Sequence, residues 1–260
     1  MDGDGHADLI GFRWSGSATV FHGNGTGGFG HTSTITTPLR GYNDIEVADI
    51  NGDGIADLVL SSGQGLPYGF WVMHHDGAAG FLAPVFVPLP DNADGIAVGD
   101  FNHDGLPDVL ASQGTNSPSF VHLVSGQVDG TLLHTASYPS HDIPGVLQSA
   151  DVDNDGFVDA LALHGGWNRV GTYMGNGTGL DPERLFAIPY ASQYQSEGLA
   201  LGDINSDGCT DVAIADYNQG LVTLLGQGCL PVIPPPPPVV DIALDAHVQG
   251  VARLKARGAL

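Results

Sequence analysis

Short apolar segments separated by turns rich in Gly, Asn and Asp recur along the whole chain. Residues 95–98, 145–147 and 198–201 are apolar and lead into an acidic run, and residues 109–111 and 160–163 are apolar and follow one. Continuous apolar character on both sides of a short turn predicts two neighbouring strands buried on both faces. A third strand is expected over residues 18–21, 70–73, 120–123 and 170–174. It ends each time in a tight turn such as 23–27, 76–80 or 175–179, where Asn-Gly and Asp-Gly pairs signal a hairpin into a fourth, outer strand.

The acidic run between the first two strands has the form Asp-x-Asn/Asp-x-Asp-Gly-x-x-Asp and occurs five times. Its third acidic positions, Asp4, Asp53, Asp104, Asp155 and Asp207, lie 49, 51, 51 and 52 residues apart. A period near 50 built from short strands points to propeller blades. The expected fold is all-β, a propeller of about five four-stranded blades, either an incomplete or a strand-exchanged ring.

Oxygen ligands at loop positions 1, 3, 5 and 9, with a backbone carbonyl at position 7, suit one hard cation, and Gly at position 6 permits the sharp turn. The candidate ligands are Asp49, Asn51, Asp53, the Ile55 carbonyl and Asp57 in the second loop, and Asp100, Asn102, Asp104, Leu106 and Asp108 in the third. The fourth loop offers Asp151, Asp153, Asp155, Phe157 and Asp159, and the fifth Asp203, Asn205, Asp207, Cys209 and Asp211. The first copy offers Asp2, Asp4 and Asp8 and lacks the first-position Asp. With no clustered Cys/His set, the donors favour Ca²⁺ over zinc, about four to five ions in all. An EF-hand begins with the same spacing but needs Glu at position 12, where this chain has Leu60, Ala111, Ala162 and Ile214. An isolated copy would also read as an Asx-turn between strands, but five in register argue for ion binding.

The Asp-rich loop, the Gly-Asn-Gly-x-Gly turns at Gly23 and Gly175 and the repeat length together resemble the FG-GAP/VCBS repeats of integrin-α-like propellers, over about residues 1–228. That resemblance implies calcium held between the two inner strands of each blade, at the Asp and Asn positions just named. It also implies seven blades, more than the loops present here. Blade one lacks an innermost strand and blade five an outermost one, so the propeller is assigned to 1–230, a proline-rich linker to 231–238 and a tail to 239–260. Residues 239–245 read as an inner strand ending in Asp245, a candidate to complete blade one in its own or a neighbouring molecule. Arg253, Lys255 and Arg257 supply three of only seven basic residues. They mark the tail for docking on an acidic body, or for a solvated end.

The net charge is −22, from 29 acidic and 7 basic residues. Sixteen of the acids sit in the loops, and five Ca²⁺ ions would leave about −12. Nucleic acid is excluded as a partner on that balance. No apolar stretch is long enough to span a membrane. Cys209 and Cys229 bracket two strand-like segments, which fits a disulfide and an oxidising compartment, with two buried thiols as the alternative. Trp14, Trp71 and Trp167 follow the second strand of their blades, where they would either present aromatics to a ligand or pack between blades. Asn24 and Asn176 match glycosylation acceptors, although the turn already accounts for both. The adjacent His74 and His75 point to opposite faces of a strand, and no nucleophile elbow or phosphate loop accompanies them, so no enzyme activity is expected. The reading is a secreted or cell-surface, calcium-stabilised module for adhesion or self-assembly, binding protein, glycan or copies of itself. The alternatives are a lectin-like glycan binder and, behind it, a carbohydrate-active enzyme.

Overall fold

A computed structural model describes residues 4–13, 16–37, 44–62, 67–77, 80–115, 118–165, 169–188, 196–216, 220–229, 241–245 and 253–257. Every regular element among them is a strand. Blade one comprises β1 (Leu9–Arg13), β2 (Ser17–Gly23) and β3 (Phe29–Thr36). Blade two comprises β4 (Ile45–Ala48), β5 (Asp57–Ser61), β6 (Gly69–Met73) and β7 (Val85–Pro88). Blade three runs through β8 (Ile96–Gly99), β9 (Asp108–Ser112), β10 (Ser119–Gly126) and β11 (Leu132–Ser140). Blade four follows with β12 (Pro144–Ala150), β13 (Asp159–His164), β14 (Arg169–Tyr173) and β15 (Arg184–Ala187), and blade five with β16 (Ser196–Gly202), β17 (Asp211–Asp216) and β18 (Gly220–Leu224). Each sheet is an antiparallel meander in chain order, and together they form a five-bladed β-propeller. Three blades have four strands. Among the described residues, blade one lacks the innermost strand and blade five the outermost, as the loop count implied.

The second strand of each middle blade is shared between two junctions. Adjacent residues on a strand face opposite ways. In blade two, Leu58 and Leu60 pack toward Ile10 and Ile35 of blade one, while Val59 packs toward Ile96 and Val109 of blade three. In blade three, Val109 and Ala111 face blade two, and Leu110 faces Leu147, Ala160 and Ala162 of blade four. Leu161 and Leu163 of blade four then meet Leu199 and Ile214 of blade five. This is why β5, β9 and β13 are continuously apolar and wholly buried. The first strand differs from expectation. β4, β8 and β12 are only partly buried, because each is the inner edge of its sheet.

Polar side chains stitch consecutive first strands together. Asp44, just ahead of β4, accepts a hydrogen bond from Ile96 N of β8 at 2.9 Å, and Ser149 of β12 donates to the Val98 carbonyl of β8 at 2.7 Å. Burial raises the carboxyl of Asp44 above the usual range, with the charge of Asp94 adding to it. Burial, and then the charge of Asp44, pushes Glu46 up to about 7.

The second compact unit, 231–260, is described only by β19 (Asp241–Asp245) and β20 (Arg253–Arg257). These two pair with each other, placing Asp241 opposite Arg257 and Asp245 opposite Arg253. The tail segment is thus a strand as expected.

Because Glu46 titrates higher in the folded chain than in the unfolded one, its contribution is fully present below the unfolded value of 4.5 and is lost as pH rises through about 7. Glu46→Gln should therefore flatten the fall in melting temperature between pH 5 and pH 8, a difference that thermal melts of both proteins at fixed calcium would read.

Candidate metal centre

Each acidic loop joins the first and second strands of a blade, and its backbone path repeats closely. Position 6 is a glycine with φ between 83° and 94° in all five copies: Gly5, Gly54, Gly105, Gly156 and Gly208. Position 4 is also left-handed, at Gly52, His103 (59°), Asn154 (60°) and Ser206 (62°). Only glycine reaches this region without cost, and Asn tolerates it.

Backbone amides then fill the carboxylates from within. The first-position residues Asp49, Asp100, Asp151 and Asp203 accept the N–H groups of positions 5 and 6 at 2.7–3.1 Å. Position 5 accepts the N–H of position 7 in every copy, from Asp4 with His6 to Asp207 with Cys209, at 2.8–2.9 Å. Position 3 accepts the N–H of position 5 in the four later loops, and where it is Asn51, Asn102 or Asn205 its amide also donates to the position 5 carboxylate.

The ninth position behaves differently. Asp57, Asp108, Asp159 and Asp211 are wholly buried. One oxygen of each accepts the N–H of position 2 in its own loop, at Ile50, Phe101, Val152 and Ile204, at 2.8–3.1 Å. The other accepts an N–H at the end of the third strand, from His75, Gly126, Gly175 and Gly226, and Asp8 receives Gly23 in the same way, all at 2.7–2.9 Å. The side chain of His74 adds a 2.9 Å contact to Asp57. Burial raises Asp108 and Asp159 to about 6 against the opposing pull of these amides.

The glycines at the strand ends explain the first letter of the Gly-Asn-Gly turn. A Cβ at Gly23, Gly126, Gly175 or Gly226 would lie 2.1–2.6 Å from the carbonyl oxygen of Ala7, Pro107, Val158 or Thr210. At these four positions the backbone comes close enough to donate to the buried Asp only because no side chain intervenes, whereas in blade two the same bond is made by His75. The following Asn24 and Asn176 accept from Thr26 and Thr178 within the turn, so these acceptor-like sequons are built into the hairpins.

In the fourth loop Asp151, Asp153 and Asp159 each place an oxygen within 4.8 Å of the others, a spacing that one hard cation could bridge. Among the four complete loops, that one alone carries Asp in place of Asn at position 3. Asp153 is held above the usual carboxylate range by burial and by the charges of Asp155 and Asp151. Neighbouring loops touch: the rings of His103 and Phe157 lie 5.0 Å apart, and Asn154 donates to the Gly208 carbonyl at 3.0 Å. The disulfide expected between Cys209 and Cys229 is formed, tying the fifth loop to the chain beyond β18.

The aromatic candidates separate. Trp71 is half-buried and packs on Phe86 at 5.0 Å, with Leu58 and Leu60 as neighbours, so it serves the blade interior. Trp14 and Trp167 lie outside the described residues. His75 is buried with its ring on Phe81, while the His74 ring turns to Asp57. Among the other histidines, His164 is wholly buried, bonded to Glu183 at 2.7 Å through one ring nitrogen and to the Asp142 carbonyl through the other.

Against known proteins, residues 1–60 and 151–214 match the model of the FG-GAP-like repeat. Those two stretches are similar to that repeat and together span just under half of the chain. The matched stretches contain the first, second, fourth and fifth loops. No curated protein sequence matches the chain significantly. Among solved structures, the chain is similar to a Tc holotoxin pore of Photorhabdus luminescens, at 15% identity and a TM-score of 0.41, covering 86% of this chain and 13% of that one. It is also similar to a Dos1 propeller, at 10% identity and a TM-score of 0.49, covering 86% of this chain and 57% of that one. The chain thus spans less than two thirds of either.

Two outcomes test the division of labour within the acidic loops. In chelator, Asp159→Asn should cost about 1–3 kcal/mol, because one buried amide loses its acceptor, whereas exposed Asp155→Asn should change denaturant stability little. Gly175→Ala should destabilise by about 1–3 kcal/mol, because the new Cβ meets the Val158 carbonyl at 2.6 Å and cannot be relieved by a rotamer change. Urea unfolding of the three variants would show whether the order holds.

Proposed function

We propose that this chain is a calcium-stabilised propeller acting outside the cell as a non-catalytic interaction or adhesion module. What carries the reading is the loop geometry: four complete copies repeat one backbone frame, and in the fourth Asp151, Asp153 and Asp159 place oxygens within 4.8 Å of one another, a spacing that suits one hard cation. The residues that would hold each ion are those at positions 1, 3, 5 and 9, with the carbonyls of Ile55, Leu106, Phe157 and Cys209. A bound Ca²⁺ supplies positive charge where exposed carboxylates crowd. The protein's own part is to pre-order the loop through the amide bonds to positions 1, 5 and 9, so that an arriving ion meets a formed site.

The disulfide and the acidic, lysine-poor composition support an oxidising, extracellular setting. A binding role in place of a catalytic one is supported by the use made of the titratable groups: Asp57, Asp108, Asp159, Asp211 and His164 are all buried and spent on holding strands together. Nothing on Trp71 favours the glycan-binding alternative, since its ring is packed against Phe86.

Added Ca²⁺ should raise the melting temperature in a concentration-dependent way, with each site contributing about 2.7 kcal/mol at a hundredfold excess over its Kd. Calorimetric titration with Asp155→Ala should show one site fewer than the parent. No calcium-dependent shift at millimolar concentration would overturn the reading.

A further inference from the structure

The residues that make each junction between blades follow a rule set by the ninth-position Asp. Two and four residues after it, with their cross-strand partners on the third strand, a blade faces its successor: Val59, Ser61, Phe70 and Val72 in blade two, and Leu161, Leu163 and Val170 in blade four. One and three residues after it, a blade faces its predecessor: Leu58 and Leu60, Val109 and Ala111, Ala160 and Ala162, Val212 and Ile214. Applied to the ends, the rule assigns blade five a successor face of Ala213, Ala215, Leu221 and Thr223, and blade one a predecessor face of Leu9, Gly11, Thr19 and Phe21.

Both faces are uncovered. Leu221 is 71% exposed where its equivalents Phe70, Val121 and Val170 are buried, and Leu9 is 53% exposed where Leu58 is fully buried. Phe29, with its ring against Phe21, extends the blade-one face.

We propose that these faces are mates, and that blade one of a second copy packs on blade five of the first, head to tail. Three observations commit the partner to a copy of this chain. The contact continues the interface already used at every internal junction, with the same positions on each side. The volumes complement: blade five presents Ala213 and Ala215 where blade four has leucines, and blade one presents Leu9, Phe21 and Phe29, much as Leu110 and Leu123 meet Ala160 and Ala162 between blades three and four. Finally, in a chain of net charge −22 neither face carries a charge, and no charged residue occurs anywhere from 217 to 240, so this is a place where two acidic copies can meet with no like charges in direct apposition. Such a contact is heterologous and leaves one face free at each end.

The inference deepens the interaction-module reading by naming the partner, and the two fail separately, since calcium titration tests one and association tests the other. The experiment is sedimentation velocity on the full chain in calcium, across a concentration series, for the parent, Leu9→Glu and Leu221→Glu. The parent should associate reversibly. Each variant alone should lose association by about tenfold or more, because a carboxylate would be buried in an apolar contact. An equimolar mixture of the two should regain dimers and stop there, because only one intact pair of faces remains. Hydrogen exchange on the parent gives a second readout that needs no variant: amides of β2 and β18 should slow as concentration rises. A monomeric parent, a mixture that fails to regain dimers, or association left intact in either variant would each overturn the proposal, the last by pointing to a two-fold contact through one face.

Discussion

The structure hangs on one hydrogen-bonding arrangement, a buried aspartate carboxylate held between two backbone amides. In blades two to five the ninth loop residue takes one N–H from the start of its own loop and another from the end of the third strand. A single side chain thereby fixes the loop, the second strand and the third strand together. Buried carboxylates are tolerable only when their lone pairs are met, and here they are met by donors that never leave. The loop's crowding of acids is managed first by the backbone, before any ion is considered. Charge repulsion among the exposed positions remains, and that is the part a cation relieves.

Much of this was legible in the residues. The period of the acidic loops located the blades, the apolar runs on either side located the second strand, and Asn24 and Asn176 located hairpins that the structure builds as expected. The open composition of the first and last blades followed from where loops stood relative to strands. What could not be read was the partner of each carboxylate. Asp159 and Asp155 look alike in sequence, yet one is wholly buried and the other exposed, because the difference is made by the third strand returning some sixteen residues later.

Other features were hidden for similar reasons. The left-handed backbone at position 4 is advertised by Gly52 and Asn154 but not by His103 or Ser206, whose side chains give no hint of it. The glycines at the strand ends read as turn formers, whereas their main service is the absence of a side chain next to a carbonyl. The first strand's apolar character suggested burial on both faces. It is an edge, and half its surface has no neighbouring strand to cover it. For the tail, a strand was evident but its ladder partner was not, since a register is not written in a single segment.

The alternation along the second strand has a wider consequence. Because the residues one and three places after the ninth-position Asp address one neighbour and those two and four places after it the other, the rule for joining units is written once and reused, and nothing in it counts how many units there are. Removing or duplicating one whole period would leave every remaining seam with a compatible opposite. Stability in such an array is additive over nearest neighbours, so the repertoire open to this architecture in evolution or engineering is one of variable length at constant local chemistry.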